Sequence, residues 1–425
     1  MPFLRTINPL QKSDIAKLNS PKETSTRAPL TIIFITIFID LTGFGMIIPV
    51  LPIYAESLGA TGFMIGLLAA SYSLMQFLFM PIWGRLSDRV GRKPIILMSL
   101  LCTSVSFVLF GLASSLFLLF LARLLAGTFT ANISTAQAYI ADVTTTEERA
   151  KGMGLIGAAF GLGFIFGPPL GGFLSLWGLG MPGFFAGGLA LCNAIAAYFL
   201  LPESLPLEDR VQSHRIPLHQ HFSPKRFTHA IFHPVVGLFL VLFFILVLAF
   251  ANLETTFVLM TERNFGYTAW ENSLVFTYVG VIAALVNGVL IGPLVKKFGE
   301  GKLLTTGITM QAVGFFILPY LHSLPFLLII IGTISAGSGL TNPTVNSLIS
   351  KNTSKSEQGG VLGVNQSLAS LARVFGPAWG GWFFDRLGVP APYWSGGILL
   401  TGCIALSLRA MSRMRKNSVK STDSP

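Results

Sequence analysis

The sequence predicts an all-α integral membrane fold: twelve transmembrane helices in two pseudo-symmetric six-helix bundles. Three observations support this. Hydrophobic residues make up 52% of the 425-residue chain and charged residues only 11%, against roughly a quarter charged in a soluble domain. Apolar runs of about 20 residues, enough to cross a hydrocarbon core about 30 Å thick as helix, occur twelve times. The second half also repeats landmarks of the first at a fixed offset. With so little polar surface the chain must take lipid as its solvent.

The runs fall at 30–54, 62–83, 94–114, 116–141, 152–174 and 182–201, then at 234–261, 271–295, 303–321, 324–348, 359–384 and 392–411. Residues 1–28 are polar and too long for the n-region of a signal peptide, and the first run exceeds an h-region of about 7–15 residues, so it reads as a true crossing. The domain organisation that follows is a tail (1–28), a bundle (29–201), a linker (202–233), a second bundle (234–411) and a tail (412–425). Both tails read as basic and disordered.

Charge placement tests the count. If both termini lie on one side, 25 of the 29 Lys and Arg fall on that side. Arg263 and Arg386 fall on the other, and Arg123 and Arg373 within spans. That is the positive-inside pattern, which makes the basic side cytoplasmic. The net charge of +11 then belongs to a membrane surface, and nucleic acid is not an expected partner. Five of the six histidines (His214, His219, His221, His229, His233) sit in the linker; their irregular spacing and lack of cysteine partners argue against a metal site. Cys102, Cys192 and Cys403 lie in apolar runs and read as packing residues. No cofactor site is expected.

The repeat is specific. Gly167-Pro168-Pro169-Leu170-Gly171-Gly172 returns 209 residues later as Gly376-Pro377-Ala378-Trp379-Gly380-Gly381. The same offset pairs Glu148 with Glu357, Gly154 with Gly363, Phe166 with Phe375, and Gly187-Gly188 with Gly396-Gly397. Parallel repeats of this kind are a transporter architecture, with the substrate site between them near the midplane.

Between spans 2 and 3 the chain reads Gly84-Arg85-Leu86-Ser87-Asp88-Arg89-Val90-Gly91-Arg92-Lys93-Pro94. This resembles the signature G-x-x-x-D-R-x-G-R-[RK] of the major facilitator superfamily, and the resemblance extends over residues 30–411. An echo without the acid, Gly292 to Gly299, stands between spans 8 and 9. The resemblance implies a gating role for Gly84, Asp88, Arg89, Gly91, Arg92 and Asp142. Asp88 would latch onto the amino-terminal end of span 11 near Gly359, where free N–H groups favour an anion, and Arg92 would tie to Asp142 on span 4.

Span 5 carries Gly154, Gly163, Gly167, Pro168, Gly171 and Gly172. Small residues on one face allow close helix packing and Pro168 bends the span; the complete pattern also resembles the motif of proton-coupled exporters. Span 1, from Phe38 to Pro52, resembles the first helix of the twelve-helix drug/proton antiporters, the tetracycline exporters above all. Within it Asp40 lies roughly 14 Å deep at about 1.5 Å per residue, and an acid there marks function by default. Arg123, heading an R-x-x-x-G pattern on span 4, reaches a similar depth and is the expected partner, the pair being coupled to protons. Glu254 on span 7 and Arg373 on span 11 are a second candidate pair.

Polar residues placed to line a cavity are Tyr72, Gln76, Asn132, Gln137, Asn252, Tyr278, Asn342, Asn346, Asn365 and Gln366; each can equally bond a neighbouring helix. The chain lacks the histidine in span 8 and the acid in span 9 of tetracycline exporters, which argues against tetracycline as cargo. It also lacks a phosphate-binding G-x-x-x-x-G-K-[ST]. The expectation is a proton-coupled, monomeric efflux antiporter of small amphipathic molecules in the inner (plasma) membrane, working by alternating access, and not an enzyme. An uptake symporter, an exporter of one metabolite such as a siderophore, sugar or lipid, and a non-transporting receptor remain as alternatives.

Overall fold

The computed structural model describes residues 27–130, 132–145, 148–206, 210, 231–354 and 357–422. Four of the linker histidines (His214, His219, His221, His229) lie outside them; the Nδ1 of His233 accepts a hydrogen bond from Val236 N at 3.2 Å, at the start of a helix. The described residues are helical apart from short connections.

The first expected span is two helices, α1 (Arg27–Ile47) and α2 (Leu51–Ser57). Pro49 ends the first because it has no N–H to continue the ladder, while Pro52 sits in the opening turn of the second, where none is needed. α3 (Gly62–Val90) and α4 (Arg92–Gly111) follow. The expected loop at 84–93 is thus almost entirely helix. Its turn is Gly91 alone, at φ 114°, a conformation that favours glycine. Gly299, at φ 78°, makes the matching turn in the second half.

Span 4 is α5 (Leu116–Phe129) with α6 (Asn132–Val143), and spans 5 and 6 are α7 (Arg149–Ser175) and α8 (Met181–Leu200). The second half continues with α9 (Val236–Phe265) and α10 (Ala269–Leu285), a π turn at Val286–Leu290, then α11 (Ile291–Phe298), α12 (Glu300–Ile317), α13 (Leu324–Lys351), α14 (Gln358–Leu387) and α15 (Ala391–Thr422). Helix therefore runs well into the segment 412–425 expected to be disordered: no Gly or Pro interrupts Ser412–Thr422, and Met, Arg and Lys support helix. Among the described residues eleven helices are long and apolar enough to cross a membrane. α14, at 30 residues, is long enough, but glycines, polar residues and Arg373 dilute its apolar character.

Two glycine corners organise the packing. In α7, a Cβ on Gly171 would strike the backbone of Met46 on α1, and one on Gly172 would strike Ser273 on α10. In α14, a Cβ on Gly380 would meet Asn252 on α9, and one on Gly381 the backbone of Gly62 on α3. Each corner thus touches one helix of its own half and one of the other, as a duplicated structure requires. Gly66 and Pro377, and Gly280 and Phe164, extend the two cross-half seams.

The basic end of the molecule, where α1 starts and α3 meets α4, is different. A Cβ on Gly84, Gly154, Gly157, Gly161, Gly288, Gly292, Gly360 or Gly363 would meet nothing within 4 Å. At the opposite, far end, Asp385 of α14 accepts hydrogen bonds from Gly62 N and Phe63 N of α3, at 2.8 and 2.7 Å. The helices from the two halves close together at the far end and part toward the basic end.

Candidate functional site

Midway through the molecule, α1, α3, α5 and α6 converge on a polar chamber. α1 contributes Asp40, 9% exposed, and α5 contributes Arg123, 7% exposed. The guanidinium of Arg123 lies 4.4 Å from the centroid of the Tyr72 ring and 5.9 Å from that of Phe44. These rings are 5.2 Å apart and tilted by 32°. Thr130 Oγ1 is hydrogen-bonded to the Tyr72 hydroxyl at 3.2 Å. The side chain of Asn132 lies beside the Asp40 carboxyl.

The expected ion pair between Asp40 and Arg123 is not formed, since neither belongs to a salt bridge within 4.0 Å among the described residues. Aromatic faces take the guanidinium instead: Arg is weakly hydrated, and a desolvated cation over a ring gains about 2 kcal/mol. Tyr72 is within electrostatic reach of Arg123, Asp40 and Arg373. Glu254 is within reach of Arg373 and Arg123. The pair Glu254–Arg373 likewise makes no salt bridge among the described residues.

Among the described residues, several buried polar atoms here have no hydrogen-bond partner: Arg123 Nε, both Asn132 side-chain atoms and Thr135 Oγ1. Leaving one such group unsatisfied costs about 1–3 kcal/mol. Unsatisfied polar groups of this kind beside a buried acid can hydrogen-bond a bound molecule.

The other sequence-derived candidates divide. Gln76 and Tyr278 are half-buried and Gln137, Gln366 and Arg373 exposed. Asn365 donates to Asn346 Oδ1 at 2.8 Å, Asn346 to the Asn342 carbonyl at 2.9 Å, and Asn342 to Ser338 Oγ at 3.2 Å, a polar seam joining α14 to α13. Asn252 ties helices together: its Nδ2 donates to the Pro392 carbonyl at 2.8 Å and its side chain packs on Gly380, joining α9, α14 and α15.

At the basic end, Arg92 is buried at the centre of a second cluster. Its Nη1 donates to Asp88 and to Ser87 Oγ, and its Nε donates to Asp142 Oδ2 at 3.0 Å. Burying the guanidinium is tolerated because charge-assisted bonds satisfy it. Asp88 was expected on the amino-terminal end of α14; it pairs with Arg92 across the Gly91 turn instead, its side chain 46% exposed, because α3 and α14 part at this end. Sequence reasoning missed Glu203. Its carboxylate accepts from Arg92 N and Lys93 N at 2.8 and 3.2 Å, capping α4. An acid following directly on span 6 at the basic end was the available signal.

A membrane chain of duplicated halves, with a buried charge chamber and this arginine cluster, is a secondary transporter in architecture. It belongs to the Major Facilitator Superfamily, whose family model matches residues 33–299 and 242–425. It is 33% identical to Multidrug resistance protein 2 of Bacillus subtilis, over 91% of this chain and 95% of that one. It is 31% identical to the class C tetracycline resistance protein of Escherichia coli, over 82% and 87%. Among solved structures, the human organic anion transporter MFSD10 superimposes with a TM-score of 0.68 at 25% identity, covering 91% of this chain and 100% of that one.

Proposed function

We propose that this protein is a proton-driven exporter of small amphipathic compounds, drugs included. The observation that carries the reading is the chamber itself: a buried acid, Asp40, beside unsatisfied polar atoms, in a molecule closed at the far end and parted at the basic end. The relatives named as multidrug resistance proteins support a drug-like cargo. The basic end faces the cytoplasm on this reading, with both termini there, in the inner membrane of a bacterial cell, and the working unit is the monomer.

The mechanism follows from the charges. The residues 29–201 and 234–411 rock as two bodies about the glycine corners. With the basic end open, cargo enters from the cytoplasmic side and Asp40 releases its proton there. An ionised Asp40 draws Arg123 off its aromatic seat, which frees the Tyr72 and Phe44 faces and the Asn132 amide for cargo. When the far end opens, a proton returns to Asp40, Arg123 reseats, and the cargo loses its contacts. Proton and cargo thus compete through one chamber, which is the coupling an antiporter requires.

The test is substrate-linked proton movement in everted membrane vesicles, with a panel of toxic compounds. Adding cargo should dissipate the imposed pH gradient. Asp40→Asn should abolish this response while the protein still reaches the membrane. A full response in that variant rejects Asp40 as the coupling acid, and proton flow in the direction of the cargo makes the protein a symporter.

A further inference from the structure

Glu56, near the end of α2, and Glu262, in the last turn of α9, bring two carboxyl groups together across the far-end seam. α2 packs on α9. Glu56 Oε2 is fully buried and, among the described residues, receives no bond from an N–H or a hydroxyl. The carboxyl of Glu262 stands within hydrogen-bonding reach of the Glu56 carboxyl. Two ionised carboxylates offer only acceptors and repel each other, so this contact needs one proton between them.

The surrounding charges leave that need in place. Arg263, within electrostatic reach of Glu262, holds its guanidinium 4.4 Å from the Phe384 ring centroid on α14. Asp385 on α14 is committed to the amides of Gly62 and Phe63, and Arg386 beside it is exposed. On α10, Glu271 accepts from Thr268 N at 2.9 Å. On α2, Tyr54 donates its hydroxyl to the Ala113 carbonyl at 2.5 Å.

We propose that Glu56 and Glu262 share one proton and form a clasp that holds the far end shut. One carboxylate takes this proton from far-side water while the far end is open. It becomes the O–H of an O–H···O bond on closure and returns to the same water when the pair separates, so it is distinct from the proton on Asp40. The clasp rests on the proton-driven reading and adds to it: acid outside closes the outer side.

Spin labels at Ser57→Cys and Leu387→Cys, with Cys102, Cys192 and Cys403 replaced by alanine, report far-end separation with no cargo present. The closed-to-open ratio should rise as pH falls, by up to about tenfold per pH unit for one linked proton. With Glu56→Gln and Glu262→Gln, singly or together, an amide N–H supplies the missing donor and the closed state should persist at every pH. A pH response unchanged in these variants, or absent from the parent, overturns the clasp. Asp40→Asn should keep the response while losing driven flux. Driven flux without the response removes the clasp alone, whereas the response without driven flux in the parent removes the transport reading alone.

Discussion

Arg123 sits where a carboxylate partner was expected and holds two aromatic faces instead. A guanidinium seated this way can leave without stranding a counter-ion, which suits the change of partner proposed for it. Tyr72→Phe keeps the ring and should cost under about 1 kcal/mol, whereas Tyr72→Leu removes the cation–π contact and should cost about 2 kcal/mol. Thermal unfolding in detergent measures both, and equal losses would show that the hydroxyl, not the ring, holds Arg123. Asp40 and Arg123 were legible because charges in apolar runs are costly. Phe44 was not, being one of 36 phenylalanines with nothing local to distinguish it.

Among helices, the glycine corners separate residues of one type by what faces them. Gly171→Ala places a methyl against the backbone of Met46, which cannot rotate away, and should cost about 1–3 kcal/mol as overpacking does. Gly157→Ala faces nothing within 4 Å and should be neutral or stabilising by up to about 1 kcal/mol through helix propensity. A thermal-stability comparison decides it; equal losses would contradict the seam geometry. The corners were readable as a repeat held in register. The break at Ile48–Val50 was not, because the apolar run carries on through Pro49 while the hydrogen-bond ladder cannot. The 84–90 stretch misled in the other sense: its charges and glycine suggest a loop, yet a single glycine is enough for the turn.

For the molecule entire, the balance between its two openings rests on a few contacts at each end. Asp385→Ala removes both hydrogen bonds to the start of α3 and should shift the population toward far-end opening by at least about tenfold, since even one charge-assisted bond contributes about 1.5 kcal/mol. The label pair at positions 57 and 387 reads this directly, and an unchanged distance distribution would show that the cap is incidental. Asp88→Asn should slow turnover with little change in cargo affinity, because Asp88 stands far from the chamber; a large affinity loss would move it into the binding site. The all-helical membrane fold was legible in the sequence because lipid constrains the length and composition of every span. Which end is open was not, since one sequence encodes both states and composition favours neither.

The paired corners carry a consequence for how such a protein diversifies. Their contacts are glycine on backbone at Met46 and Gly62 and glycine on the side chains of Ser273 and Asn252, residues apart from Asp40, Arg123 and Tyr72, so the joint does not depend on those chamber residues. Mutations that retune the chamber for a new cargo should therefore leave the machinery of motion untouched. A lineage on this plan can exchange one cargo for another in small steps without reinventing the hinge.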